Sequence, residues 1–312
     1  QIVWGVYYGL PLSVEPMKAL IGLAIVGTLT DAELAAAGLL AGGVLLTVGQ
    51  LGLVGRLQRV VGDPVIRGVQ LAVALLLLEA AVGLSRGNLP VAAAGVVVVA
   101  LFALAGYREA SVLVVLGLGG IVAVVTAGVP TPTVPTLAVF PAGPPSISAA
   151  ALEGTVAQLG MTIGNAAIAT ALLCGDLYDR EVSADTLSTS MGITCLAAVP
   201  FGGVPMCHGS GGLAGKYAFG ARTGGANVLL GVGYLALALV ATGTVLTAFP
   251  TAILGVLLVV VALELARAAF EPVSDRRTAT LVAAVGVVGL LGNVGVAFAL
   301  GTVAFWGLSE RF

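Results

Sequence analysis

The chain has 312 residues, of which 59% are hydrophobic and only 9% are charged, and its mean hydropathy is +1.12. This composition excludes a soluble globular protein, because no core in water uses apolar residues at that density. The formal net charge of −2 says little about partners in a protein with so little aqueous surface, and no nucleic-acid partner is expected. Three cysteines without C-x-x-C spacing support neither a disulfide framework nor a zinc site.

Apolar runs of about 20 residues recur along the chain, and each is long enough to cross a bilayer. The predicted spans are 34–54, 64–84, 89–106, 111–128, 150–173, 186–200, 226–248, 250–269, 279–291 and 292–308. Two shorter segments interrupted by Gly and Pro, 11–27 and 204–219, complete the set, and residues 1–9 are the tail of another helix. We therefore expect an all-α polytopic membrane protein, embedded in the lipid bilayer and without a soluble domain.

The basic residues predict how the chain is oriented in the membrane. If successive spans alternate in direction, most of the arginines fall on one side and only Arg86 falls on the other. The positive-inside rule makes that side cytoplasmic. The loop 175–182 and the C-terminus, including Arg311, would then be cytoplasmic, the Pro-rich linker 130–145 would be outside, and the expected location is the cell (plasma) membrane.

The first interrupted segment predicts a break at membrane depth. Residues 11–15 lie between prolines and suit an extended strand, since Pro16 disfavours helix at the residue before it. Pro16 fits the first turn of a half-helix that runs to about Gly27. A capping box at Thr30 and Glu33 then starts the next helix.

The second interrupted segment repeats this pattern. Residues 203–206 suit an extended strand, and a half-helix opens near 207–209 and runs to Phe219. The residues that open the two interrupted segments also match, Gly-Leu-Pro-Leu at 9–12 against Gly-Val-Pro-Met at 203–206, which indicates an internal repeat. The two half-helix N-termini would meet in mid-membrane, where their free N–H groups form an anion site.

Small and polar side chains flank this break. Gly209 and Gly211 would let backbone amides approach a ligand, and Ser210 adds a hydroxyl; alternatively the glycines serve close helix packing. His208, the only histidine, fits a proton carrier or a structural histidine better than a metal ligand, because no other histidine or nearby acid accompanies it. Lys18 either helps to hold an anion or extends to the membrane surface.

A polar stripe marks the span 150–173. Gln158, Thr162 and Asn165 follow at i, i+4 and i+7, so they share one face of an α-helix. Polar side chains in a lipid-embedded helix face the protein interior. The stripe is therefore either part of the binding site or a set of interhelical contacts.

These residues resemble the molybdate transporter family related to the SulP sulfate permeases. Members carry one signature like P-x-P-V-Q-P-M-K, matched here at 11–18, and another like P-x-C-H-G-A-G-G-L-A-x-x-Y-x-F-G-x-R-x-G, matched at 205–224. The span around Gln158 and Asn165 is also similar, and the likeness extends over essentially the whole chain. Two positions depart from the pattern: Glu15 replaces the usual Gln and Ser13 replaces the usual Pro.

The resemblance implies a seven-plus-seven inverted repeat of the uracil-permease type. The first span and most of the second would lie upstream of Gln1, and the absence of a STAS-type domain after Phe312 favours the molybdate branch. The implied division is a core of 1–54 and 150–248, a gate of 55–128 and 249–312, and an extracellular linker of 129–149. The core would move against the gate.

The resulting hypothesis is a secondary transporter of molybdate, with sulfate or another SulP-type anion as the alternative and a nucleobase as a less favoured one. An enzyme is not expected, since His208 has no evident catalytic partner, and no cofactor or metal is expected; a homodimer is an open option. Glu15 is a candidate proton site, because a carboxylate beside a dianion is repelled by it; the alternative is an ion pair with Lys18. The expected substrate-binding residues are Glu15, Pro16, Met17, Lys18, Gln158, Thr162, Asn165, Cys207, His208, Gly209, Ser210 and Gly211.

Overall fold

The computed structural model describes residues 1–241, 243–271, 273, 275–292 and 294–309. Arg311 and the C-terminus, which the sequence assigned to the cytoplasmic side, lie outside these residues. Most of the described chain is helical. The α-helices are α1 (Ile2–Tyr8), α2 (Lys18–Ile25), α3 (Asp31–Gln50), α4 (Val54–Val61), α5 (Asp63–Arg86), α6 (Leu89–Leu104), α7 (Arg108–Ala127), α8 (Ala149–Met161), α9 (Thr170–Tyr178), α10 (Ala184–Ala198), α11 (Ser210–Ala218), α12 (Gly225–Val240), α13 (Gly243–Ala248), α14 (Thr251–Phe270), α15 (Arg276–Leu291) and α16 (Val294–Ser309).

Several helices have the length and composition of membrane spans, as the sequence predicted. Within the described residues, five stretches of 18 residues or more are apolar enough to cross a bilayer: Asp31–Gln50, Asp63–Arg86, Ala110–Ala127, Ala149–Tyr178 and Thr251–Phe270. The single span expected over 226–248 is wrong, because α12 ends at Val240 and α13 begins at Gly243. Hydropathy alone does not show where one apolar run is divided between two helices.

The contacts divide the chain into two compact units. The larger consists of Gln1–Leu76, Leu137–Leu229 and Leu265–Phe312, and the smaller of Leu77–Thr136 and Leu230–Glu264. In the smaller unit, α6, α7 and α14 share a buried apolar cluster. Its members are Ala92, Val115, Ala252, Ile253 and Val256. The core and gate boundaries drawn from the sequence stay a prediction.

In the larger unit, α3 and α10 pack backbone against backbone. A Cβ atom added to Gly192 would lie 2.5 Å from the backbone nitrogen of Leu46, and one added to Gly42 would lie 2.8 Å from Cβ of Cys195. Small residues that let two helices approach this closely are a common membrane interface. Oγ of Ser188 also donates to the carbonyl of Leu45 across the interface at 2.9 Å. This pair forms a rigid wall beside the interrupted segments.

Both interrupted segments contain the expected strand followed by a short helix. Strand β1 (Glu15–Pro16) pairs antiparallel with β2 (Met206–Cys207), with Glu15 opposite Cys207. The strands are shorter than the predicted 11–15 and 203–206, and α11 begins at Ser210, after the predicted 207–209. Pro16 belongs to the strand rather than to the first helical turn, and α2 begins at Lys18 with Met17 as its N-cap. The reason is that the N–H of Met17 donates to the carbonyl of Pro205 at 2.8 Å, which extends the ladder by one residue.

The two halves also enter these strands in the same way. Helix α1 ends at Gly9, whose φ is 64°, and the 3₁₀ turn Val199–Phe201 ends at Gly202, whose φ is 79°. Such left-handed conformations are accessible to glycine at little cost. An extended segment, a strand and a half-helix follow each glycine, so the repeat read from the sequence has a structural counterpart.

Candidate functional site

The N-terminus of half-helix α2 is capped by a side chain from another helix. Oε1 of Gln158, on α8, accepts hydrogen bonds from the backbone N–H of Ala19 at 2.9 Å and of Leu20 at 3.4 Å. Nε2 of the same amide donates to Oγ1 of Thr162 at 2.8 Å. Both ends of the Gln158 amide are thus engaged within the protein, and its oxygen satisfies two N–H groups of the first turn of α2.

The N-terminus of half-helix α11 contacts the same polar stripe. Oγ of Ser210, the first residue of α11, donates to Oδ1 of Asn165 at 2.6 Å. Gln158 and Thr162 are nearly inaccessible, with 2% and 1% of their surface exposed. The stripe therefore faces the protein interior, as predicted, and it connects to one half-helix through Gln158 and to the other through Asn165.

The geometry of the stripe differs from the ideal helix assumed in the sequence analysis. Residues Thr162–Ala169 form a π-helix between α8 and α9. A π-helix is wound more loosely than an α-helix and occurs frequently at functional sites. Asn165 lies inside this stretch, so the i, i+7 spacing from Gln158 does not describe its actual position.

Glu15 forms an ion pair at the meeting point of the two segments. Its Oε1 lies 3.0 Å from Nζ of Lys18, and Oγ of Ser13 donates to its Oε2 at 3.4 Å. The carboxylate also packs against Gly209 and Gly212, because a Cβ atom added to either glycine would contact it. Of the two alternatives drawn from the sequence, the ion pair is the arrangement found here.

His208 is held as a structural histidine. Its Nδ1 lies 2.9 Å from the carbonyl oxygen of Ser13 and its Nε2 lies 2.7 Å from Oγ of Ser190. Oγ1 of Thr170 donates to the backbone carbonyl of His208 at 3.2 Å. The ring is 1% exposed, and the ring of Tyr8 stands edge-on to it at 6.2 Å. Both ring nitrogens therefore have partners within the protein.

The remaining candidate residues contribute mainly backbone. Pro16 and Cys207 belong to the two strands, Met17 caps α2, and the side chains of Met17 and Cys207 are buried. Gly211, in contrast, is exposed, and a Cβ atom added there would meet nothing within 4 Å. Gly211 is thus the open position in the first turn of α11.

Lys216 on α11 is a half-buried cation whose partners were not predicted from the sequence. Its Nζ donates to Oδ1 of Asn227 at 2.6 Å, and more weakly to Oε1 of Gln1 at 3.3 Å and to the carbonyl of Leu12 at 3.4 Å. All three acceptors are uncharged, so the positive charge is solvated without being neutralised by direct contact. A lysine and an asparagine in otherwise apolar segments are a signal of such an interior contact. Ser190 on α10, the hydrogen-bond partner of His208, was not predicted from the sequence either.

A cavity of about 250 Å³ reaches the stripe from another direction. Its lining includes Asn165, Gln70, Arg67 and Asp63, and Arg67 also donates to the carbonyl of Ala268 at 2.8 Å. The wall thus carries polar side chains and charges of both signs, which suit a water-filled cavity. Among the described residues, no group of three or more His, Cys, Asp or Glu side chains is placed to hold a metal ion.

Comparison with known proteins assigns the chain to a family. The family model described as "Molybdate transporter of MFS superfamily" matches residues 1–77 and 150–265. Molybdate transporter 1 of Arabidopsis thaliana is 32% identical over 97% of this chain and 78% of its own length. Molybdate transporter 2 of the same plant is 30% identical over 100% of this chain and 79% of its own length.

A solved structure shows the fold. The transmembrane domain of the cyanobacterial bicarbonate transporter BicA superimposes with a TM-score of 0.66, over 93% of this chain and 84% of that domain, at 17% identity. This likeness supports the predicted relation to an inverted-repeat transporter fold. Because the family model covers more than half of the chain and two relatives are at least 30% identical over nearly all of it, the chain belongs to the molybdate transporter family.

Proposed function

We propose that this protein is a secondary transporter that carries molybdate across the membrane. The observation that carries the proposal is the meeting of two half-helix N-termini, α2 and α11, at a strand pair where a polar stripe contacts both. A helix N-terminus presents N–H groups and partial positive charge to an anion. Two relatives that match nearly the whole chain are named molybdate transporters, and molybdate is a tetrahedral oxyanion.

The binding chemistry needs no covalent step. A dianion at this position is held by backbone N–H groups near 209–211 and in the first turn of α2, with Ser210, Gln158 and Asn165 as side-chain donors after they exchange their present partners. Pro16 has no N–H and that of Met17 donates to Pro205, so at 16–18 only the start of α2 contributes. Lys18 and Lys216 contribute positive charge. We do not assign His208 to the anion, because its ring nitrogens are already paired.

Several finer features belong to the same proposal. Transport proceeds by alternating access, with the core moving against the gate, and the cavity lined by Asn165 and Arg67 serves as the path to the cytoplasmic side. The protein lies in the plasma membrane with its C-terminus in the cytoplasm. Protons are the proposed coupling ion and a homodimer the proposed assembly. The protein acts as a carrier, without catalysis.

The test is uptake of radiolabelled molybdate into vesicles reconstituted with the purified protein. We expect saturable uptake that unlabelled molybdate and tungstate suppress at lower concentration than sulfate does. Empty vesicles and a variant with a cross-link between core and gate are the controls, and the cross-linked protein should bind molybdate without transporting it. Uptake no faster than in empty vesicles, from a folded protein, would refute the proposal.

A further inference from the structure

We propose that the carboxylate of Glu15 is a tethered occupant of the oxyanion position at α11, and that the substrate must displace it. On displacement, Lys18 passes from the carboxylate to the substrate. This inference rests on the proposed function and concerns how the same site is regulated. It makes Glu15 and Lys18 specificity-determining residues that set the affinity for the anion.

The position of the carboxylate is the first argument. Gly209 is the N-cap of α11 and Gly212 is the third residue of its first turn. A Cβ atom on Gly209 would overlap the Glu15 carboxylate, and one on Gly212 would lie 3.0 Å from its Oε2. The carboxylate therefore lies against the end of the helix that attracts anions, and these two glycines leave the space that it fills.

The bonding of the carboxylate is the second argument. Oε1 is buried and accepts no hydrogen bond from the described residues, although Nζ of Lys18 lies 3.0 Å away. The longest of its contacts, from Ser13 to Oε2, measures 3.4 Å. The Glu15 side chain is 23% exposed, and the inaccessible oxygen of such a carboxylate normally accepts a short hydrogen bond. This one is held mainly by charge, so a dianion with more acceptor atoms can replace it.

The position of Lys18 allows it to pair with the substrate once the carboxylate leaves. Lys18 is the first residue of α2, and its side chain is 33% exposed. A lysine on a flexible stem can turn to a new anion without moving the backbone. If Lys18 serves both anions in turn, its removal weakens the unbound and the bound states alike.

The first experiment measures molybdate affinity by calorimetry on the purified protein and three variants. Glu15→Gln removes the charge, Glu15→Asp keeps the charge but withdraws it by about 1.5 Å, and Glu181→Gln removes an exposed loop carboxylate as the matched control. We expect Glu15→Gln to bind about tenfold more tightly, Glu15→Asp about threefold more tightly, and Glu181→Gln like the parent. If Glu15→Asp binds no better than the parent, only charge repulsion acts and the occupancy model is wrong.

The second experiment is a double-mutant cycle with Lys18→Met. We expect Lys18→Met to weaken molybdate binding at least tenfold in the Glu15→Gln background but less than threefold in the parent. An equal loss of molybdate affinity in the two backgrounds would show that Lys18 does not change its partner.

The parent, Lys18→Met, Glu15→Gln and the double variant can also be compared by thermal unfolding, which needs no substrate. In the absence of any oxyanion, Lys18→Met should lower the unfolding temperature when Glu15 is present and leave it nearly unchanged in Glu15→Gln. Additive effects would refute the anchored carboxylate. This cycle judges the inference even if the parent protein binds no molybdate, an outcome that would count against the proposed function alone.

Discussion

Nε2 of His208 lies 2.7 Å from Oγ of Ser190, and the opposite ring nitrogen faces the carbonyl oxygen of Ser13 at 2.9 Å. Because a carbonyl only accepts, Nδ1 donates to Ser13. The imidazole thus ties the segment before β1 to α10, while its own backbone follows β2. One side chain links both interrupted segments to the rigid wall of α3 and α10.

This arrangement predicts that Ser190→Ala lowers stability rather than affinity. The substitution leaves a buried ring nitrogen without its partner, which costs about 1–3 kcal/mol. Thermal unfolding in detergent should shift downwards, whereas the Kd for molybdate should change less than threefold. The control is Thr47→Ala, which removes an exposed hydroxyl bonded to the carbonyl of its own helix and should have little effect. An affinity loss of tenfold at unchanged stability would instead make His208 a ligand of the anion.

A second prediction separates the capping role of Gln158 from anion binding. Gln158→Glu keeps the oxygen that accepts from Ala19 and Leu20, and the added negative charge suits a helix N-terminus. The substitution also buries a charge and loses the bond from Nε2 to Oγ1 of Thr162, so stability should fall and the Kd is measured on protein that remains folded. The same charge repels a dianion, so the Kd for molybdate should rise at least tenfold. Gln50→Glu, which adds an exposed charge at the end of α3, should leave the Kd unchanged; an unaltered Kd in Gln158→Glu would separate the anion from α2.

The broken helices were predictable because proline and glycine act locally. Pro11, Pro16 and Pro205 restrict the backbone within one or two residues, so the strands and half-helices follow from neighbouring residues. The capping box of Thr30 and Glu33 is local for the same reason, and it forms with the backbone N–H of Glu33 donating to Oγ1 of Thr30 at 3.3 Å.

The partners of the site side chains were not predictable in this way. Ser190 lies 18 residues from His208, and Asn227 lies 11 residues from Lys216. Such pairs depend on which helices pack together, and hydropathy does not encode that. The π-helix at Thr162–Ala169 was not predicted either, because a run of small apolar residues is compatible with both an α-helix and a π-helix. The sequence therefore located the site but not its internal hydrogen bonds.

A third prediction concerns Lys216 as a source of positive charge. Lys216→Met removes both the charge and the donor to Asn227, so it should lower stability and weaken molybdate binding about three- to tenfold. Lys216→Gln retains a hydrogen-bond donor without charge and should recover part of the stability but none of the affinity. Affinity that recovers together with stability in Lys216→Gln would assign Lys216 a purely structural role.

The last prediction tests the first turn of α11 with two glycines at different distances from its N-terminus, Gly211, which is exposed, and Gly215, which is half-buried. A Cβ atom at Gly211 or at Gly215 meets nothing within 4 Å, so Gly211→Val and Gly215→Val should each change the unfolding free energy by less than about 1 kcal/mol. Gly209 is unsuitable, because a side chain there would displace Glu15. Side chains of a helix tilt toward its N-terminus, so a valine at 211 narrows the space at the end of α11 in which the anion replaces the Glu15 carboxylate. Gly211→Val should therefore weaken molybdate binding at least tenfold, whereas Gly215→Val, one turn further along, should bind normally. Equal affinity in the two variants, measured by calorimetry on folded protein, would mean that the anion does not bind at the N-terminus of α11.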